Sequence, residues 1–535
     1  AVGDSVARVP PVPMAVGASP IQDVTQSAGG ALAVATETDL YLVGPRGIRH
    51  RLRRGDPLPD GRINSLYVSS RNALWVATSA GVARVAWPDP VTVLPGLGEQ
   101  KLNVKIVVRH DGRRFAGTDR GVWAWDDGGI ERVTPSGTVF DLLSTPTGLL
   151  ATQSNGLFVV RADGHRQLTG TNAYSLRRSR HRPSRVYVGM YGDGLLQLQR
   201  EAGRWQVADT TRRIQTPVYT LAEDTSGALW LGTGHRGIVR LGPPATPLDA
   251  APLARLDTTD GLPAPSFNYT VQLGDDVGFI TRDGLYRPVG DSAEPDSRFR
   301  PVYEDDIYLG WPVVPGDKNE VWMDFGGHKL GVATLQADAP VRWTARPFRR
   351  MADFGDVGTI STEGDSLVWF SSEETLVRYD RRLQAYGGHT RPFRTLIRYV
   401  RTRGDSLLYA GDTERPRLPA AVGYDHNDLR FQFGATSYER LDGPTYNRER
   451  PRQYRWRLAG FDDGWTDWTV EPHADYTGLP PGSYTLHVEA RNLYNGVGRE
   501  ATMAFTVLPP WYRTWWACLG YVLLGLGAVA GVVRW

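Results

Sequence analysis

Apolar and polar positions alternate in short runs through most of the chain, and the runs come in groups. Ile63-Asn64-Ser65-Leu66 leads to Ala73-Leu74-Trp75-Val76-Ala77-Thr78 and then to Gly81-Val82-Ala83-Arg84-Val85. Val218-Tyr219-Thr220-Leu221 leads to Ala228-Leu229-Trp230-Leu231-Gly232-Thr233 and then to Gly237-Ile238-Val239-Arg240-Leu241. Each group reads as an apolar strand, a turn, a second strand ending in a small residue and often Thr, and a third strand opened by Gly. Similar groups run over 104–125, 139–160 and 174–198, more divergent ones over 267–286, 308–335 and 357–379, and another begins near Ile21. These nine groups, roughly 35 to 49 residues apart, predict the blades of a β-propeller across residues 1–390. One blade cannot cover both of its faces, whereas blades stacked about an axis bury each other's Trp, Leu and Val. About seven to nine blades in one propeller are expected, with one or two groups irregular or acting as a connector to the next domain.

The period breaks near Arg391. Residues 393–408, 428–435, 453–461, 483–492 and 502–508 read as strands; in one of them Leu429, Phe431 and Phe433 share one face while Arg430 and Gln432 share the other. Pro480-Pro481-Gly482 supplies a turn. Residues 391–510 therefore suit an immunoglobulin-like β-sandwich. Trp515 to Val533 carries no charge, about the 20 residues that span a hydrocarbon core. Trp511, Tyr512, Trp515 and Trp516 crowd one end of this stretch and Trp535 stands at the other, as aromatic belts do at the two interfaces. Residues 511–535 are read as a transmembrane helix. Gly527 and Gly531 form a small-xxx-small pair that would let two such helices approach closely. The fold class is all-β: propeller, sandwich, then one C-terminal transmembrane helix.

Composition narrows the function. The 535 residues carry 61 Lys and Arg against 58 Asp and Glu, a net charge of +3 with no dense basic stripe, so nucleic acid is not an expected partner. The only cysteine, Cys518, falls in the apolar tail; outside the tail there is no disulfide and no thiolate metal site. In an exported protein this fits a bacterial envelope better than a disulfide-rich ectodomain. The sequence opens on Ala1, as an exported protein does once its leader is removed and as an arbitrary boundary also does.

The Leu-Trp-x-(Gly/Ala)-Thr…Gly-(Leu/Ile/Val) core, seen best at 74–82 and 229–238, resembles the two-component regulator propeller repeats of bacterial sensors. Asn427 to Phe433, Tyr454 to Phe461 with Trp465 and Trp468, Tyr476 to Tyr484, Asn492, Pro509-Pro510-Trp511 and Trp515-Trp516 resemble the Y_Y_Y domain, the immunoglobulin-like module between such propellers and the membrane. The family pattern has Tyr where this chain has Trp456, a change that keeps an aromatic ring. The resemblance implies a sensor in the inner membrane with residues 1–510 periplasmic. It further implies ligands such as oligosaccharides, a homodimer, and a cytoplasmic output module beyond the span, a histidine kinase or diguanylate cyclase among the possibilities.

No catalytic set stands out, and no enzyme activity is expected of this region. Glu304-Asp305-Asp306 offers carboxylates but reads as a solvated loop, and the ten histidines show no metal-ligand spacing. No metal and no cofactor are expected. Asp224-Thr225-Ser226-Gly227-Ala228-Leu229-Trp230 is similar to the Asp-box of sialidase propellers, a structural turn. Ligand contacts are expected on one propeller face from Tyr191, His235, Arg236, Tyr308, Trp311 and His328, since aromatic faces suit sugar rings and Arg suits anions. A small-molecule or oligosaccharide sensor is the leading expectation. The alternatives are a membrane-tethered propeller enzyme acting on polysaccharides and a protein-binding scaffold.

Overall fold

The computed structural model describes residues 20–535 apart from 28–29, 45–46, 55–56, 70–72, 96–101, 127–128, 193, 244–246, 303–311, 318, 325–329, 337–338, 355–356, 373–374, 388, 412–420 and 438–451. The chain divides into two compact units, one reaching residue 391 and the other beginning at 392, except that 349–353 cluster with the second. Each of the nine sequence groups of the first unit forms its own sheet, antiparallel except where Gly47–Arg54 and Pro57–Leu58 pair in parallel at the edge of the first.

Seven of these sheets close into a ring. Their innermost strands are Val104–His110, Val139–Thr145, Ala173–Arg178, Val218–Glu223, Tyr269–Leu273, Val313–Pro315 and Thr359–Glu363. Each lies beside the next, and the last returns to the first. Six blades take all four strands from one stretch of chain. The seventh takes three from Thr359–Glu363, Leu367–Ser371 and Thr375–Asp380, and its outermost strand is Val91–Pro95. That strand precedes the first ring blade, so the two ends of the ring are tied by a shared sheet. The sheets at 21–58 and 63–86 stand outside the ring as a pair, Ile21–Gln26 beside Ile63–Val68, with a common core of Ala33, Leu40, Leu42, Leu66, Leu74 and Val76. The expected seven to nine blades become seven in the ring and two outside it.

The repeated motif has a physical reading at each position. Its small residue lies where the next blade crosses: a Cβ on Gly232 would come 2.8 Å from the Tyr269 Cα, and one on Gly189 2.5 Å from the Val218 carbonyl. Its Thr locks the turn that follows. Thr118, Thr233 and Thr281 donate to the carbonyls of Gly121, Gly237 and Gly284 at 2.8, 2.8 and 2.9 Å. Those three glycines hold φ of 103°, 67° and 123°, a region costly for other residues. Its Trp pairs across the sheet with Arg: Trp75 with Arg84, Trp230 with Arg240, Trp369 with Arg378.

The turn resembling an Asp-box is a lock of the same kind. Asp224 Oδ1 accepts from the Ser226 and Ala228 amides at 2.9 and 3.0 Å, and Oδ2 accepts from Trp230 Nε1 at 2.9 Å. Neighbouring blades are latched through the third residue of the inner strand. Leu176 donates its amide to Asp141 Oδ2 at 2.8 Å, Thr270 to Thr220 Oγ1 at 2.7 Å, and Val107 to Ser361 Oγ at 3.1 Å. The outer pair repeats it, Leu66 donating to Asp23 Oδ2 at 2.7 Å. At the ring closure Glu363, buried in the seventh blade, accepts a two-pronged contact from Arg114 at 2.9 and 3.2 Å and the indole N–H of Trp369 at 3.1 Å.

The second unit is a two-sheet sandwich followed by a helix. One sheet orders Leu407–Ala410, Thr395–Thr402, Leu429–Ala435 and His473–Tyr476; the other orders Gln453–Ala459, Gly482–Arg491 and Ala501–Val507. Phe431, Phe433, Leu458, Leu486, Val488, Met503 and Phe505 fill the space between. The run 393–408, expected as one strand, is a hairpin. It turns at Gly404-Asp405, where Thr402 donates its amide to the Ser406 carbonyl at 3.0 Å and Asp405 takes φ of 62°. Two of the aromatic positions matching the Y_Y_Y pattern are hydrogen-bonding pins, Tyr476 Oη to Asp462 Oδ2 at 2.6 Å and Tyr484 Oη to the Pro480 carbonyl at 2.7 Å. The C-terminal helix, Trp515–Arg534, is long and apolar enough to cross a membrane and exposes nearly its whole length.

Candidate functional site

The site begins with a backbone irregularity. In the second to fourth ring blades the first and third residues of the inner strand pair with adjacent partners, leaving the second residue as an extra one. Val139 pairs with Gln153 and Asp141 with Thr152, so Phe140 is unpaired; Tyr174 and Tyr219 are left over in the same way. Such a bulge re-aims the extra side chain and bends the strand. Tyr269 opens the inner strand of the fifth ring blade at the equivalent place.

The result is one continuous aromatic surface at one end of the ring. Phe140 stacks on Tyr174 at 4.0 Å between centroids, Tyr174 meets Tyr219 edge-on at 4.9 Å, and Tyr219 lies 6.1 Å from Tyr269. These four rings are half-buried. Two exposed rings extend the surface: Tyr191, stacked 5.7 Å from Tyr174, and Phe267, 6.3 Å from the His235 ring. Gly234 brings the Thr233–Gly237 turn onto Tyr219; a Cβ there would sit 2.9 Å from the ring. Phe267 holds φ of 58°, a left-handed conformation that a bulky residue adopts at a cost of order 1 kcal/mol. Its amide donates to the Gly234 carbonyl at 3.3 Å, and Asn268 anchors the segment by donating to the Ala264 carbonyl at 2.8 Å.

Burial raises the hydroxyl pKa of Tyr174, Tyr219 and Tyr269, with the neighbouring tyrosines adding to the rise, so these groups stay neutral and able both to donate and to accept. Asp141, next to Phe140, is pushed up to about 7 by burial, against the pull of the Leu176 and Leu142 amides and of Arg177. Both carboxylate oxygens are taken up by backbone amides, which makes Asp141 a latch rather than a free acid or base. Among the described residues no group of three or more His, Cys, Asp or Glu is placed to hold a metal ion. The surface offers stacking faces and neutral hydroxyls. That chemistry suits a ring-shaped ligand with hydroxyl groups.

Of the residues singled out in the sequence, Tyr191 and His235 lie on this surface, joined through Tyr174, Tyr219 and Gly234. Arg236 is exposed in the same turn as His235, with its amide on Thr233 Oγ1 at 3.2 Å. Tyr308, Trp311, His328 and the acidic run 304–306 lie outside the described residues. Phe140, Tyr174, Tyr219, Tyr269 and Phe267 were not foreseen as a site. The signal was present: an aromatic residue recurs at the second place of the inner strand in successive groups, but in single strands it reads as core.

Residues 445–508 match the Y_Y_Y domain. No curated protein matches the sequence. Among solved structures the chain is similar to the extracellular domain of BT3049 from B. thetaiotaomicron, described as a hybrid two component system, at TM-score 0.62 and 15% identity over 91% of this chain and 68% of that one. It also matches the extracellular domain of BT4673, from the same organism and described as a one component system, at TM-score 0.42 and 13% identity over 92% and 70% of the two chains. Virginiamycin B lyase from Staphylococcus aureus matches at TM-score 0.26 and 11% identity over 68% of this chain and 95% of the lyase. The BT3049 domain and this chain share a fold, and this chain carries a Y_Y_Y domain.

Proposed function

We propose that this chain is the ligand-sensing, extracytoplasmic region of a membrane-bound signal transduction protein, with residues 1–510 in the periplasm and Trp515–Arg534 crossing the inner membrane. The observation that carries the reading is the aromatic surface at one end of the ring. Its bulges are repeated, its Phe267 is held in a costly backbone conformation, and its hydroxyls stay neutral, while no catalytic pair accompanies it among the described residues. The ligand is a small molecule or oligosaccharide, bound and not consumed. Two copies form a homodimer, and occupancy changes how they pack. The Y_Y_Y domain and the helix pass that change to a cytoplasmic output module. A ligand biases such an equilibrium only through its different affinities for the two arrangements.

Calorimetry with an oligosaccharide library on the full chain in nanodiscs tests the reading. At least one saturable binder is expected, weakened about 100-fold or more by Tyr174→Ala together with Tyr219→Ala, as when two stacking anchors are lost. Mass spectrometry of the same mixtures should show the ligand intact. Turnover of the ligand would identify an enzyme instead, and binding that survives the double substitution would place the ligand elsewhere.

A further inference from the structure

The sandwich has one end from which the chain leaves for the helix, and that end carries exposed rings. Val507 pairs with Gly482 and bridges to Val422, and the Leu508 amide donates to the Val422 carbonyl at 2.8 Å. Tyr424 follows two residues beyond Val422, opening a short 3₁₀ turn, and is 40% exposed. Phe461 follows two residues beyond Ala459, in a turn where its amide donates to the Leu458 carbonyl at 3.0 Å, and the register Ala459–Thr485–Ala504 puts that turn at the same end of the sandwich as Val507. The strand it follows lies two strands across the sheet from the exit strand, about 10 Å sideways. Phe461 is 51% exposed, its ring set edge-on to Tyr476 with 5.7 Å between centroids.

The connection to the helix is short and built. Pro510 is buried, Trp511–Arg513 form a 3₁₀ turn, and Trp511 stacks back on Trp516 at 6.5 Å and 20°. There is little chain to pay out between Val507 and the first turn of the helix. Trp511, Tyr512, Trp515 and Trp516 are all exposed there. Tyr424 and Phe461 thus stand beside the point where an apolar helix starts, with the same ring chemistry as its interfacial belt. The nearest carboxylate to Phe461 in sequence, Asp462, is occupied by the Tyr476 hydroxyl and the Leu458 amide.

We propose that Tyr424 and Phe461 dock into the headgroup layer of the outer leaflet, so that this end of the sandwich rests on the bilayer instead of hanging from a flexible tether. The occupant is the lipid interface itself, held by apolar and aromatic contact. The inference rests on Trp515–Arg534 spanning the membrane. It deepens the sensing proposal, since a domain seated on the bilayer passes rotation or tilt to its helix where a loose one would not.

The test uses the full chain with Cys518→Ala, reconstituted into phosphatidylcholine vesicles with and without phosphatidylglycerol. Single fluorophores are placed through Phe461→Cys, Tyr424→Cys, Val497→Cys or Val522→Cys, and quenched by nitroxide lipids at headgroup or acyl depth. Val497 is 53% exposed at the opposite end of the same sandwich, bridged to Arg491. Headgroup quenching at 461 and 424 is expected to exceed that at 497 roughly threefold or more, equally in both lipid mixtures. If 522 escapes acyl-depth quenching, the span itself fails and the docking with it. If 522 is quenched and 461 and 424 behave like 497, the docking alone is overturned. Quenching at 461 and 424 that requires phosphatidylglycerol would overturn apolar docking in favour of charge attraction.

Discussion

At the scale of single residues, Asp224, Glu363 and Asp141 use their carboxyls as locks. Burial alone would raise the pKa of Asp224, yet its hydrogen bonds to Ser226, Trp230 and Ala228 together hold it below the ordinary range. Its stabilising effect is therefore present above the usual carboxylate pKa and lost as pH falls through the lower folded value. Asp224→Ala should cost about 1–3 kcal/mol in urea unfolding at neutral pH, since it strands the Trp230 N–H. A change within a few tenths of a kcal/mol would mean the turn holds without it. Glu363 serves Trp369 in the same manner, six residues ahead of the indole. At Trp322 the sixth residue back is Gly316, and the buried indole Nε1 meets no hydrogen-bond acceptor among the described residues. Asp141 has the opposite sign. Its folded carboxyl titrates at about 7 against an ordinary 3.8, so the fold holds the proton more tightly than the unfolded chain. Stability from this group is greatest below the ordinary value, falls as pH rises from about 4 to about 7, and is level above. Asp141→Thr keeps an oxygen acceptor, as Thr220 does in its own blade. Its melting temperature relative to the parent should improve across that window, whereas a constant difference would show an unshifted carboxyl.

At the scale of elements, the repeat was legible because each of its letters answers a contact that recurs in several blades. Gly marks a crossing or a turn, Thr locks that turn, and Trp packs against the Arg opposite. The hairpin at 395–410 was not read, because the polar turn Arg403-Gly404-Asp405-Ser406 is short and the apolar run resumes at Leu407, so the two strands pass for one. The pairing of Val91–Pro95 with Thr375–Asp380 was hidden for a different reason. Sequence periodicity reports on neighbours along the chain, and this closure joins segments such as Val107 and Ser361, 254 residues apart. The aromatic surface escaped notice for lack of register: only the pairing shows that Phe140, Tyr174 and Tyr219 are extra residues freed from the blade. The closure makes a direct prediction. Glu363→Ala would leave Arg114 unpaired and Trp369 without its acceptor, at a cost of about 3 kcal/mol read by denaturant unfolding. A loss no larger than that of an exposed substitution would show that the shared sheet alone closes the ring.

At the scale of the whole molecule, the proposed roles divide by domain. The ring gathers rings and hydroxyls from successive blades into one surface. The sandwich has a pinned aromatic framework, and its last strand leads through a buried proline and a stacked tryptophan pair into an apolar helix. The claim that binding at the ring is felt in the helix is open to one direct measurement. Cys518, the only cysteine, lies in the first turns of the helix and is exposed. A nitroxide on Cys518 in the reconstituted full chain reports the distance between paired helices by electron–electron dipolar spectroscopy. With the oligosaccharide found by calorimetry, a distinct inter-helix distance should shift on saturation and should stay fixed in the chain carrying Tyr174→Ala and Tyr219→Ala. A distance unchanged by saturating ligand, or no paired signal at all, would contradict the account.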